Sequence, residues 1–196
     1  MREISREIIE LAAGGDVSAF EEIYKAFSST VYTVALGVTR ESRDAEEAAQ
    51  DVFVKVYKGL KRFDFRSSLG TWIYRITVNT AINIYRSGRR HRIFGSADYD
   101  RIKESIPDER DISGQEIEKS HAAESVDRML RNMSPEHRLC IILREIEGLD
   151  YKEMAEILRI PLNTVRSRLK RARAALAACA QTSAHRQTEE GLDNGL

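Results

Sequence analysis

Only two cysteines, three prolines, one tryptophan and no net charge occur in this 196-residue chain. Cys140 and Cys179 lie far apart, without a CxxC spacing or a nearby histidine pair, so neither a zinc site nor a disulfide framework is expected. The four histidines, at positions 91, 121, 137 and 185, show no ligand spacing. Gly14-Gly15 lacks the rest of a phosphate loop, and no nucleophile-base pattern appears. No metal, cofactor or covalent chemistry is therefore expected. No apolar run approaches the roughly 20 residues that a bilayer requires, which predicts a cytoplasmic protein without membrane insertion. The 31 basic and 31 acidic residues cancel, so net charge says nothing for or against nucleic acid.

What the total hides, the distribution shows. Arg66 to Ala97 holds six arginines and no acid, and Ile157 to Thr188 holds seven lysines or arginines and no acid. Acids concentrate instead from Glu41 to Asp51 and from Asp98 to Glu118. The 32% charged and 42% hydrophobic residues are the balance of a helix-rich globular chain.

Apolar residues recur at helical spacing in several runs. Ser18 and Glu21 read as a capping box ahead of Phe20, Ile23, Tyr24, Phe27, Val31, Ala35 and Val38. A second run, Ala45, Ala49, Val52, Phe53, Val56 and Leu60, carries Glu46, Glu47, Gln50, Asp51, Lys55 and Lys58 on its other face. A third starts near Ser68, continues through Trp72, Ile73, Ile76 and Thr80, and is expected to stop at Ser87-Gly88. From Phe94 to Glu116 the periodicity disappears, as in a linker, and the helical pattern resumes at Ile117. The prediction is an all-α chain of two small helical domains, residues 1–93 and 117–180, joined by a flexible acidic linker at 94–116 and followed by a polar tail at 181–196.

The second domain reads as a helix-turn-helix. Ser134-Pro135 opens one helix, which stops at Gly148, and Asp150 with Glu153 caps the next. After the turn Arg159-Ile160-Pro161-Leu162, Asn163 is the expected cap of a last helix with Val165, Leu169, Ala172 and Leu176 buried. That leaves Asn163, Thr164, Arg166, Ser167, Lys170 and Arg171 outward near its start, where a recognition helix meets base edges. Arginine matches guanine and asparagine matches adenine in bidentate fashion, while Lys170, Arg171 and Arg173 suit phosphates. A merely solvated basic face would place its cations at the helix C-terminus; these begin in the first turn, the electrostatically unfavourable end.

In the first domain aromatic and basic residues interleave: Trp72, Tyr74, Arg75, Tyr85, Arg86, Arg89, Arg90 and Arg92. Such pairs stack unpaired bases and hold a single strand's backbone. Asn79 and Asn83, one helical turn apart, have the donors and acceptors to bind the edge of an extruded base. The plain alternative makes Trp72 and Ile76 core residues, the arginines a solvated helix end and the acidic face of the second helix a solubility feature.

Four motifs in order, Asp44 to Phe53, Phe65 to Thr80, Arg144 to Ala155 and Asn163 to Arg173, make the chain resemble an extracytoplasmic-function (ECF) sigma factor of the sigma-70 family, near the envelope-stress branch. The resemblance implies that Asp44, Glu47, Gln50, Asp51 and Phe53 lie on the helix that docks core RNA polymerase. It places Phe63, Trp72, Asn79, Thr80 and Asn83 around the pocket that melts the promoter −10 element, with Arg86, Arg89 and Arg90 on its backbone. It also places Arg166, Ser167, Lys170 and Arg171 in the major groove of the −35 element. One departure falls at Lys170, where the relatives compared carry an aromatic. The partners implied are core RNA polymerase, promoter DNA and an anti-sigma factor. The competing function class is a helix-turn-helix regulator that binds duplex operator DNA without polymerase.

Overall fold

The computed structural model describes residues 4–94 and 133–193, with side chains for 4–88 and 133–178. Among the described residues all regular structure is helical. The linker expected at 94–116 falls, beyond Phe94, outside the described residues, as do the helical pattern from Ile117 to Met129 and the side chains of Arg89, Arg90 and Cys179.

Helix α1, Arg6–Gly14, precedes the first helix expected from the sequence. The Ser5 hydroxyl accepts the Ile8 N–H and Gly15, at φ 102°, closes the helix in the left-handed region. In α2, Val17–Thr39, the capping side chain is Asp16, which accepts from Ala19 N at 2.8 Å, and not the expected Ser18. Ile23, Phe27, Val31, Ala35 and Val38 are buried as their spacing predicts, but Tyr24 is 48% exposed. Helix α3, Ser42–Gly59, buries Ala45, Val52, Phe53 and Val56 and ends in a 3-10 turn, Leu60–Arg62. Helix α4 spans Leu69–Phe94, passing through Ser87-Gly88 instead of stopping there. A single glycine costs a helix only about 1 kcal/mol, which is a weak stop signal.

In the C-terminal module Ser134 caps α5, Pro135–Ile141, which continues into a π turn, Ile142–Ile146. The extra residue in that turn rotates Ile146 off the buried stripe, so it is 61% exposed where the simple 3.6-residue period would bury it. Helix α6, Tyr151–Leu158, has the expected capping box. Helix α7, Leu162–Asp193, starts one residue before Asn163, so Pro161 holds the cap position: its carbonyl accepts from Thr164 N and Val165 N. Val165, Leu169 and Ala172 are buried and Leu176 is half-buried.

Helices α2, α3 and α4 pack against one another, and α1 packs on α2 and the 3-10 turn. One core joins Ile9, Ile23, Phe27, Val52, Leu60 and Ile73. The second runs across both modules, with Val34, Val38, Tyr74 and Val78 against Leu139, Ile142, Leu143, Met154 and Leu169. At this junction Tyr74 donates to Glu147 at 2.8 Å, Thr30 donates to the same carboxylate at 3.1 Å and Arg138, 3% exposed, donates to the Gly37 carbonyl at 3.0 Å. Burial and then the Glu147 carboxylate push the Tyr74 phenol far above its ordinary range, which keeps it a donor.

Candidate nucleic-acid interface

The buried stripe of α7 fixes which residues face out. Asn163, Arg166, Ser167, Lys170 and Arg171 are exposed and Thr164 is half-buried, with Asn163, Ser167 and Lys170 in one line along the helix. Arg166 donates from a terminal nitrogen to the Asn163 amide oxygen at 3.2 Å, so the two side chains best suited to read bases are already joined. Arg173 is not brought to them. It makes bonds of 3.0 and 2.6 Å to one carboxylate oxygen of Glu145, tying α7 to the π turn. That exposed pair is worth about 1 kcal/mol or less, so a phosphate can compete for the guanidinium.

The turn that aims α7 is built locally. The Asp150 carboxylate accepts from Lys152 N at 2.7 Å and Glu153 N at 2.8 Å, while Glu153 accepts from Asp150 N at 2.7 Å. The hydrogen bond from Glu153 N, followed by that from Lys152 N, holds the Asp150 carboxyl below its ordinary value of 3.8. A group depressed in the folded state stabilises above its unfolded pKa and loses that contribution as pH falls through the folded value. Asp150→Asn is therefore expected to melt below the wild-type chain at neutral pH, with the gap closing under pH 3.8. A pH-independent gap in melting temperature would count against the charged cap.

On α4 the expected set divides into two faces. Trp72, Asn79, Asn83 and Arg86 share one stripe at helical spacing, with both asparagines and Arg86 exposed and Trp72 half-buried. Tyr74 and Tyr85 pack on the shared core instead, and Arg75 donates to the Glu156 carbonyl at 3.1 Å and forms an ion pair with its carboxylate at 3.8 Å. Thr80 does not join the outward stripe: it is 3% exposed and accepts from Lys55 Nζ at 3.0 Å. Phe63 lies at the start of the stripe, its ring 5.2 Å from that of Trp72.

Helix α3 exposes Glu47, Gln50 and Asp51, with Asp44 half-buried, and Asp51 is paired to Lys55 at 3.6 Å. Phe53 is not an outward residue; it is 8% exposed, with its ring 4.6 Å from Tyr24. Together Phe53, Tyr24, Tyr32, Ala49 and Gln50 line a groove of about 420 Å³ between α2 and α3. Tyr24, Val54 and Tyr57, all near half exposed, extend this apolar strip beside the acids. Helical spacing groups Tyr24 with the buried residues of α2; what sets it apart is the tyrosine hydroxyl, which keeps one end of the ring wet.

Chemically the site is a set of binding surfaces. The buried Cys140 thiol is pushed up to about 11 by burial, so it stays protonated and unreactive. Among the described residues no cluster of His, Cys, Asp or Glu has the makings of a metal site, and no helix is long and apolar enough to cross a membrane.

Known proteins match most of this chain. Residues 23–91 match Sigma-70 region 2 and residues 123–176 match Sigma-70, region 4. The chain is 30% identical to the RNA polymerase sigma-H factor of Pseudomonas aeruginosa over 185 residues, 89% of this chain and 93% of that one. It is 35% identical to the ECF RNA polymerase sigma-E factor of Escherichia coli K12 over 178 residues, 86% of this chain and 90% of that one. Its fold resembles that of CnrH, solved with the cytosolic domain of CnrY, at a TM-score of 0.65 and 22% identity over 90% of this chain and 97% of that one. It also resembles the sigma factor RpoE of Bartonella quintana, solved with the anti-sigma factor NepR, at a TM-score of 0.64 and 22% identity over 84% of this chain and 98% of that one. With both sigma regions present in order and full-length relatives at this identity, the chain belongs to the extracytoplasmic-function family of RNA polymerase sigma factors.

Proposed function

We propose that the chain grips promoters at two points while α3 docks core RNA polymerase. In this reading Asp44, Glu47, Gln50 and Asp51 offer acids to the polymerase beside the apolar strip of Phe53 and Tyr24. Trp72, Asn79, Asn83 and Arg86, with Phe63 at their start and Arg89 and Arg90 beyond, hold the melted −10 strand. Asn163, Thr164, Arg166, Ser167, Lys170 and Arg171 enter the −35 major groove. Residues 1–93 and 117–180 act as the two modules and 94–116 as the linker between them. The chain supplies positioning and no covalent chemistry, works in the cytoplasm beside the polymerase, and is held in check by an anti-sigma factor, the kind of partner with which RpoE of Bartonella quintana was solved.

The observation that carries this reading is that α7 exposes Arg166, Lys170 and Arg171 with no acid before Glu189, α4 exposes Asn79, Asn83 and Arg86 on a helix without acids, and α3 separately exposes Glu46, Glu47 and Asp51. A regulator of duplex operators needs only the first of these. The experiment is transcription by core polymerase with the purified chain added, with start sites mapped across genomic DNA. Defined starts with a shared pair of upstream elements are expected; their absence, with tight binding of duplex DNA by the chain alone, would sink the reading. Asp51→Arg is expected to weaken core binding about tenfold or more, as like charges meet across the interface, and to leave the α7 contacts with −35 duplex unchanged. Unaltered polymerase affinity in that variant would remove α3 as the docking face.

A further inference from the structure

Phe65 has a left-handed backbone, at φ 58°, one of three non-glycine residues with positive φ among those described. For a bulky aromatic residue that conformation is strained, and glycine would adopt it freely. Burial does not compensate, because Phe65 remains 38% exposed and belongs to neither core. A strained conformation of this kind persists only where the surrounding structure enforces it.

The enforcing contacts are visible. The Asp64 carboxylate accepts from Arg66 N at 3.2 Å and pairs with its side chain at 3.0 Å, locking the turn. The Phe65 ring lies 4.8 Å from Phe63, which lies 5.2 Å from Trp72, so three rings form a continuous chain that reaches the reading stripe of α4. The Arg6 guanidinium sits over the Phe65 ring, 4.5 Å from its centre, and Glu10 holds Arg6 at 2.7 Å. Helix α1 carries Arg6 and is anchored in the first core through Ile9 and Ala12. A cation stacked on a half-exposed ring fixes the ring's plane.

We propose that Phe65 is a stacking residue for an unpaired base at the −10 end of the promoter, and that Arg6 is the positioning residue that holds its ring ready. The proposal rests on the reading of α4 as the −10 grip. It explains why a ring is kept where the backbone favours glycine: stacking tolerates any base and needs a presented, preoriented face.

The test uses holoenzyme assembled from core polymerase and the full chain, and a single-stranded oligonucleotide carrying the non-template −10 sequence of a mapped promoter. Phe65→Gly is expected to bind this probe about tenfold more weakly, with an unchanged or higher melting temperature and unchanged core affinity. Phe65→Trp should retain binding. Arg6→Ala should lose about threefold, with Arg6→Lys restoring part of it, since the cation is kept while the planar stack is lost. Wild-type probe affinity in Phe65→Gly would overturn the proposal. So would a fall in its melting temperature large enough to account for the loss, which would make the ring a structural element. If wild-type holoenzyme itself failed to bind the probe, the −10 reading of α4 would fall, and the proposal with it.

Discussion

Gly37→Leu is expected to part the two modules, with an increase in radius of gyration by solution scattering and faster proteolysis between them. The first side-chain carbon at this position would sit inside the Ile142 side chain. Ile142 is 2% exposed and enclosed by the shared core, so it has no vacant space into which to turn. Overpacking of this kind costs about 1–3 kcal/mol. An opposing effect acts only within α2, where replacing Gly37 in the last turn is worth at most about 1 kcal/mol in helix propensity. The N-terminal module by itself should thus hold or gain stability while the junction gives way. Against the overpacking cost stand the rest of the shared core and a few polar links. The Tyr74 and Thr30 hydrogen bonds to Glu147 contribute about 0.5–1.5 kcal/mol each, and Arg138 loses its seat on the Gly37 carbonyl once the helices separate. An unchanged radius with unchanged unfolding would mean that the Gly37–Ile142 contact does not hold the modules together.

That junction is also where sequence reasoning had least to work with. The helix-turn-helix was legible because its signals are local: Ser134 and Asp150 cap within three residues, Gly148 takes φ 69° at the expected stop, and the α7 stripe repeats every three or four residues. The acidic face of α3 and the asparagines of α4 followed from the same periodicity. Glu147 meets Tyr74 and Thr30 from 73 and 117 residues away, and nothing local announces such a pairing. The other differences have identifiable causes. Helix α1 is hard to see in the sequence because Ile4, Ile8 and Ile9 look isolated, although Ser5 and Gly15 mark its two ends. Asp16 outcompetes Ser18 as a cap because the helix starts at Val17. Arg75, basic and beside an aromatic, resembled a strand-binding residue until α6 supplied the Glu156 carbonyl and carboxylate for it.

Arg166→Ala carries the second large effect, and it is selective. A bidentate arginine–guanine contact is worth about 1–3 kcal/mol of discrimination, so the loss should appear on promoters with the preferred −35 base and vanish where that one base pair is changed. Lys170→Ala and Arg171→Ala should instead weaken all promoters alike and reduce the salt dependence by about one counterion each, as phosphate contacts do. The bond of 3.2 Å between Arg166 and Asn163 adds a finer expectation. Asn163 holds the guanidinium over the first turn of α7, where the helix dipole opposes a cation, so Asn163→Ala should also reduce discrimination at the Arg166 base pair. Measured as promoter strength across a library varied at every −35 position, the two variants should lose preference at the same position. An equal loss by Arg166→Ala at all positions would make it a phosphate contact and leave base reading to the Asn163, Ser167 and Lys170 line.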